Sequence, residues 1–150
     1  MKVVIQRVKK ASVAINSNTV ATISTGLLIL LGIVPEDNQE DVDWLCAKIS
    51  KLRIFGDDKG VMNLSVQDIN GAVIVVSQFT LHALTKKGNR LSYIKAARPE
   101  QAIPMYESFK KTLSNILKKE IQSGKFGADM QVSLVNDGPV TLIIDSKQRE

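Results

Sequence analysis

Ser77-Gln78-Phe79-Thr80 places two hydroxyls and a carboxamide at the end of an apolar run, Ala72-Val73-Ile74-Val75-Val76. Such groups, with the main-chain N–H groups beside them, can orient an ester and hydrogen-bond a developing oxyanion. They can equally do no more than satisfy the backbone where a strand stops. A second polar interruption, Asn136-Asp137-Gly138-Pro139-Val140-Thr141, separates two apolar stretches. Its Gly-Pro reads as a turn between two strands, at the one bond type where cis is cheap, the trans preference being about 0.5–1 kcal/mol. Arg7 shares a strand face with Val3 and Ile5, either as an edge charge that snorkels to water or as a planar donor fork that holds something in place. Thr85-Lys86-Lys87-Gly88-Asn89-Arg90, with Tyr93 and Lys95 following, is either a solvated loop or a clasp for a phosphate backbone.

Other chemistries find little support. His82 is the only histidine, and there is neither a G-x-S-x-G elbow nor an evident Ser/His/Asp set. The lone Cys46 lies on a helical apolar stripe and is expected to be a small core residue. One cysteine and one histidine argue against a disulfide and against a Cys/His metal site. Asp57 and Asp58, in a Gly-bounded turn, read as solvated acids, so no metal and no cofactor is expected.

The positioning elements follow from periodicity. Lys2 to Ile15 alternates as a strand with a basic break at Lys9-Lys10, and Val20 to Ile23 and Gly26 to Val34 give two more. Leu27 to Leu31 is apolar on both faces and should sit centrally. Val42, Leu45, Ile49 and Leu52 trace a first helix behind Glu36-Asp37-Asn38. Arg53 to Phe55 reads as a short strand, and Asn70-Gly71 as a tight turn before the run that ends in Ser77. Arg98-Pro99-Glu100 opens a second helix whose stripe runs from Ala102 to Ile121, with Gly124 as its natural C-cap and Pro104 suggesting a later or kinked start. Met130 to Val135 and Val140 to Ile144 are strands, and Ser146 to Glu150 is the one candidate for a disordered tail.

A length of 150 residues, 44% apolar and 23% charged, supports one domain spanning 1–150 with a genuine core. The apolar run at 27–34 is too short to cross a membrane and too far from the start for a signal peptide, so a cytoplasmic protein is expected. A net charge of +5 and a pI near 9.4 suit a polyanionic partner without naming one.

Taken together, Val4-Ile5-Gln6-Arg7-Val8, Gly26 to Gly32, Arg53-Ile54-Phe55, Met62-Asn63-Leu64, Val75 to Leu81, and Phe126 to Val132 running into Gly138-Pro139 resemble the D-aminoacyl-tRNA deacylase family. The resemblance spans Met1 to about Ile144. It implies an α+β fold, a strongly curved, barrel-like β-sheet with two main helices, forming a homodimer with active sites at the interface. The family's catalytic strand end falls on Ser77, Gln78, Phe79 and Thr80, and its cis Gly-Pro, inserted into the partner's site, on Gly138 and Pro139. Arg7 matches the arginine that steadies that dipeptide, and Phe126, Ala102 and Met130 match positions lining the substrate pocket. The chain departs from the bacterial pattern at Arg90-Leu91-Ser92-Tyr93, where a proline usually stands at the second position.

The implied reaction is hydrolysis of the ester in D-aminoacyl-tRNA, and in glycyl-tRNA mischarged on tRNA-Ala, as chiral proofreading. Phe79 and Thr80 N–H groups would face the carbonyl oxygen, while Gly138-Pro139 excludes L side chains sterically. Lys86, Lys87 and Arg90 would contact tRNA. The rivals are a non-catalytic RNA- or DNA-binding dimer and a hydrolase of small D-amino acid esters.

Overall fold

Two stretches of apolar alternation, on opposite faces of one sheet, dictate the architecture of the computed structural model, which describes residues 1–150. Strands β1 (Lys2–Ile15), β2 (Asn18–Ile23), β3 (Gly26–Gly32), β6 (Ala72–Ser77), β7 (Gln122–Ser123) and β8 (Gln131–Asp145) form a mixed sheet. The order is β2-β1-β3-β6-β7, and β8 runs along the free side of β1. β1 pairs antiparallel with β2, β3 and β8, whereas β3–β6 and β6–β7 are parallel. Helices α1 (Gln39–Lys51) and α2 (Pro99–Leu117) cover one face. A small ribbon, β4 (Phe55–Gly56) with β5 (Met62–Leu64), completes the fold. No helix is long and apolar enough to cross a membrane.

Val3, Ile5, Leu27, Ile29, Leu31, Val73 and Val75 bury against Val42, Leu45, Ile49, Tyr106, Phe109 and Leu113 of the helices. The opposite face curls on itself into a barrel-like interior of Val8, Ala11, Val13, Ala21, Ile23, Leu28, Ile74 and Val76. β3 is therefore buried on both sides, as its unbroken apolar run requires. In β1 the inward residues change parity between Val8 and Ala11, and the ladder to β8 slips at the same place. The basic break at Lys9-Lys10 is thus a β-bulge inside one continuous strand, and it supplies the bend that curls the sheet.

Several expectations are corrected. Gly138-Pro139 does not connect two strands. It lies within β8, where five steps from Asn136 to Thr141 oppose two from Val8 to Gln6, so the excess chain bulges out. α2 starts at Pro99 and runs through Pro104, which sits on the exposed side, and it ends at Leu117 on a left-handed Lys118 rather than at Gly124. The Lys119 N–H donates to the Ser114 carbonyl there, and the Ser114 hydroxyl donates to the Lys119 carbonyl at 2.7 Å. Arg53 and Ile54 stay outside the short strand, whose two residues are Phe55 and Gly56. The C-terminal segment is not loose: Ser146 is buried, Lys147 pairs with Asp41 at 2.7 Å, and the Arg149 guanidinium stacks 4.5 Å from the Trp44 ring centre.

Candidate active site

β6 stops at Ser77 because its last ladder partner is Leu31, and the Gln78 N–H then donates to the Leu31 carbonyl at 2.8 Å. The next four residues, Phe79–His82, make one 3-10 turn. Phe79 and Thr80 begin it, so no carbonyl of the turn can accept their N–H groups. The Gln78 carboxamide donates to the Thr80 hydroxyl at 2.5 Å, which fixes the rotamer of both side chains. His82 closes the turn with its ring against Gly32, where a Cβ would lie 3.0 Å from the imidazole. Its Nε2 is buried without a partner, and the residue does not line the neighbouring cleft.

That cleft, of about 250 Å³, is lined by Ser77, Gln78 and Phe79 on one wall and by Phe126, Gly127, Ala128, Asp129 and Met130 on the other, with Val76 and Val132 at its floor. Sequence positions some fifty residues apart meet here because β8 enters the barrel beside the end of β6. Gly124 gives Met130 its place: a Cβ on Gly124 would stand 2.2 Å from the Met130 sulfur. Phe126 is braced edge-on by Tyr106, with centroids 5.8 Å apart, and the Tyr106 hydroxyl donates to the Val75 carbonyl at 2.9 Å. Burial pushes the Tyr106 phenol up to about 12, so it stays a neutral donor. Tyr106 thus ties α2 to both walls, a part that its place in an ordinary apolar stripe did not reveal. Ala102, one helical turn earlier, is buried in the helix-side core and does not line the cleft.

Gly138, Pro139 and Arg7 lie elsewhere. The stretch of β8 from Val132, at the cleft, to Asn136 spans roughly 13 Å and crosses the slip opposite Lys9, and the Gly138-Pro139 bulge begins only beyond it. The Asn136 side chain closes the base of the bulge, accepting from the Val140 N–H at 2.9 Å and donating to the Val140 carbonyl and the Thr141 hydroxyl. The Arg7 guanidinium fills the underside: Nε donates to the Asp137 carbonyl at 3.0 Å and lies 3.4 Å from its carboxylate, and Nη1 donates to the Ile54 carbonyl. Arg7 is therefore the donor fork, not the snorkelling edge charge. The Gly138-Pro139 peptide is cis, Gly138 has φ of 127°, and both residues are exposed.

Lys86, Lys87 and Arg90 are exposed on a loop closed by a two-way main-chain bridge between Leu84 and Ser92. This bridge holds the base of the loop with Leu91 in the usual proline's position. Asp57 caps its own turn by accepting from the N–H groups of Lys59 and Val61. Burial raises the Cys46 thiol to about 12, which makes it inert.

The model of the family described as D-Tyr-tRNA(Tyr) deacylase matches residues 4–145. The chain belongs to this family. Like the other members of the D-Tyr-tRNA(Tyr) deacylase family, it is an enzyme of the hydrolase class. It is 67% identical to the D-aminoacyl-tRNA deacylase of Flavobacterium psychrophilum and 59% identical to that of Akkermansia muciniphila, each over the full length of both chains. Among solved structures it resembles one titled c-Myc DNA Unwinding Element Binding Protein, at 41% identity and a TM-score of 0.92 over 97% of this chain and 98% of that one. A probable eukaryotic D-amino acid tRNA deacylase, at 13% identity, shares the fold alone, with a TM-score of 0.83 over 95% and 97% of the two chains.

Proposed function

We propose that this chain, as a single domain acting in the cytoplasm, hydrolyses the ester that joins a D-amino acid to the 3′ end of tRNA. The observation that carries the reading is the division of the site. The Ser77 to Thr80 turn and its cleft lie at one place, and the Gly138-Pro139 bulge projects from another with its inner side already occupied by Arg7. An exposed, braced dipeptide of this kind is a probe for a surface other than its own chain's. A two-fold copy would present it to the cleft, so the functional unit is a homodimer with a site at each interface.

In that site Ser77, Gln78, Phe126 and Met130 hold the terminal nucleoside and its ester, and Ala102 supports the floor. The free N–H groups of Phe79 and Thr80 take the carbonyl oxygen. Water, deprotonated as it adds, attacks the carbonyl carbon; attack by the ribose 2′-hydroxyl would first shift the acyl group to the 2′ oxygen, and water must then attack that ester in the same way. The acyl C–O bond to the ribose then breaks, the ribose oxygen takes up a proton, and the amino acid leaves as its carboxylate. An aminoacyl ester is intrinsically labile, so orientation and oxyanion stabilisation suffice without a strong base. The Gly138 and Pro139 carbonyls accept the substrate α-amino group, leaving no room for an L side chain. Because recognition is by main chain, varied D-amino acids and glycine are accepted, including glycine mischarged on tRNA-Ala. Lys86, Lys87 and Arg90 meet the tRNA phosphates.

Single-turnover deacylation of D-Tyr-tRNA beside L-Tyr-tRNA tests the reading. Hydrolysis of the D ester alone is expected, and comparable hydrolysis of the L ester overturns the steric account. Thr80→Ala separates two roles: full activity removes the hydroxyl as nucleophile and leaves the N–H groups. A second reading, nucleic-acid binding without catalysis, draws on the DNA-binding name of the 41% identical relative and on the basic loop. It predicts that Lys86→Glu with Lys87→Glu abolishes function while Ser77 and Thr80 variants behave as the parent.

A further inference from the structure

Between Asp68 and Glu100 the chain has no carboxylate, and its second half carries Lys86, Lys87, Arg90, Lys95 and Arg98. With those five set aside, the other fifteen cations balance the fifteen acids, so the whole net charge of +5 resides in this one segment. All five side chains are exposed, and none joins an ion pair or donates a side-chain hydrogen bond. Exposed cations elsewhere, such as Lys10, Lys59 and Lys111, are also unpaired, but they are scattered along the chain, whereas these five stand together in a stretch that has no carboxylate.

Two aromatics lie in the same segment. Tyr93 and Phe79 meet edge to face with centroids 4.9 Å apart, yet they remain 39% and 54% exposed. Phe79 also lines the cleft, so the pair forms a continuous apolar step from the cleft mouth onto the basic loop. An exposed ring beside unpaired cations, with no carboxylate from its own segment, is the arrangement that holds unpaired nucleotides: bases stack on the ring while phosphates meet the cations. A duplex offers no free base face to such a ring.

Resting on the deacylase reading above, we propose that residues 79–98 form a platform for single-stranded nucleic acid, on which a nucleotide preceding the terminal adenosine stacks on Tyr93. The platform grips the unpaired 3′ end of the tRNA and feeds its last residue into the cleft. Affinity for tRNA thereby comes from the loop, and chemistry from the 3-10 turn.

Fluorescence anisotropy with a labelled, unacylated single-stranded RNA decamer and with a blunt RNA duplex tests the proposal without reference to catalysis. The expected results are preference for the single strand and an approximately tenfold loss of affinity in Tyr93→Ala, restored in Tyr93→Phe, at an unchanged salt slope. Lys86→Glu with Lys87→Glu should instead flatten the dependence of log affinity on log salt, by roughly 0.7 for each phosphate no longer neutralised. Equal affinity of Tyr93→Ala and parent, or preference for the duplex, overturns the platform. So does a Tyr93→Ala protein that binds the decamer normally but sediments as a smaller species, since the ring would then serve contact between copies. Parallel assays on D-Tyr-tRNA keep the two readings apart. A parent that binds the decamer as expected but leaves the ester intact sinks the deacylase reading alone.

Discussion

At Gly138 two independent demands coincide. Its φ of 127° is a conformation that side-chain-bearing residues rarely adopt, and a Cβ there would lie 2.7 Å from the Arg7 Nη2. Gly138→Ala is therefore expected to lower stability by about 1–3 kcal/mol, read as a shift of the urea midpoint. A variant as stable as the parent would mean that Arg7 and the bulge are not interlocked. The same residues show how much was legible at this scale. By pattern alone Arg7 on an apolar face left a snorkelling charge and a donor fork both open, and the structure decides for the fork, since a guanidinium costs free energy among apolar neighbours unless its N–H groups are used. Asn136 carried no comparable signal, because an asparagine before an Asp-Gly-Pro reads as turn chemistry whether or not its amide closes a bulge. His82 likewise gave no hint that its ring would fill the space a side chain at position 32 would take.

At the scale of elements, the cleft is held by α2 through one side chain. Tyr106 braces Phe126 and bonds the β6 backbone at Val75, two residues before Ser77. Tyr106→Phe retains the aromatic contact and removes the hydroxyl's hydrogen bond to the Val75 carbonyl, which keeps its place in the β6–β7 ladder, at a cost of about 0.5–1.5 kcal/mol. Thermal or urea unfolding should show that loss while Phe126 stays packed, and a neutral substitution would show that the hydroxyl bond contributes nothing. Element types were readable because β1 alternates with period 2, β3 and β6 are unbroken apolar runs bounded by turn residues, and both helices carry a helical stripe. Boundaries were less so. Gly124 looked like a helix cap, yet its lack of a side chain serves Met130, a neighbour only in the folded chain. Gly138-Pro139 looked like a turn because the local signals of a turn and of a bulge within one strand are the same. Only the pairing of Asn136 and Thr141 to the same strand β1 separates the two.

Across the whole molecule, the two ends of the chain meet the start of α1. Asn38 caps the helix through the Glu40 N–H, and its own N–H donates to Asp41 at 2.9 Å, a reciprocal capping box. Burial opposes ionisation of Asp41, but hydrogen bonds from Lys147, Ser146 and the Asn38 N–H outweigh it and hold the carboxyl at about 2. The hydrogen bond to Asp41 in turn raises the Lys147 ammonium. Since Asp41 titrates lower in the folded than in the unfolded chain, its contribution is complete above pH 4 or so and drains away as pH falls toward 2. The Lys147 contribution has the opposite sense and is lost only at strongly alkaline pH. Asp41→Asn should thus cost about 1–2 kcal/mol at pH 7 and flatten the acid limb of the stability curve between roughly pH 4 and 2. A parent whose stability does not change over that interval would show that the C-terminal clasp is not electrostatic.

The sequence by itself determined the family, the α+β class, the doubly buried central strand, and the residue types that can orient an ester. Each of these depends on periodicity or on motifs that are contiguous along the chain. The family resemblance set Phe126 and Met130 at the pocket and Arg7 at the Gly-Pro, while the tertiary structure decided that Gly138-Pro139 is a bulge within β8 rather than a turn and that this bulge lies away from its own chain's cleft. Those relations arise from the parity change at Lys9-Lys10 and the curl it gives the sheet, and such curvature sums small backbone rotations over many residues without a signature in any one of them.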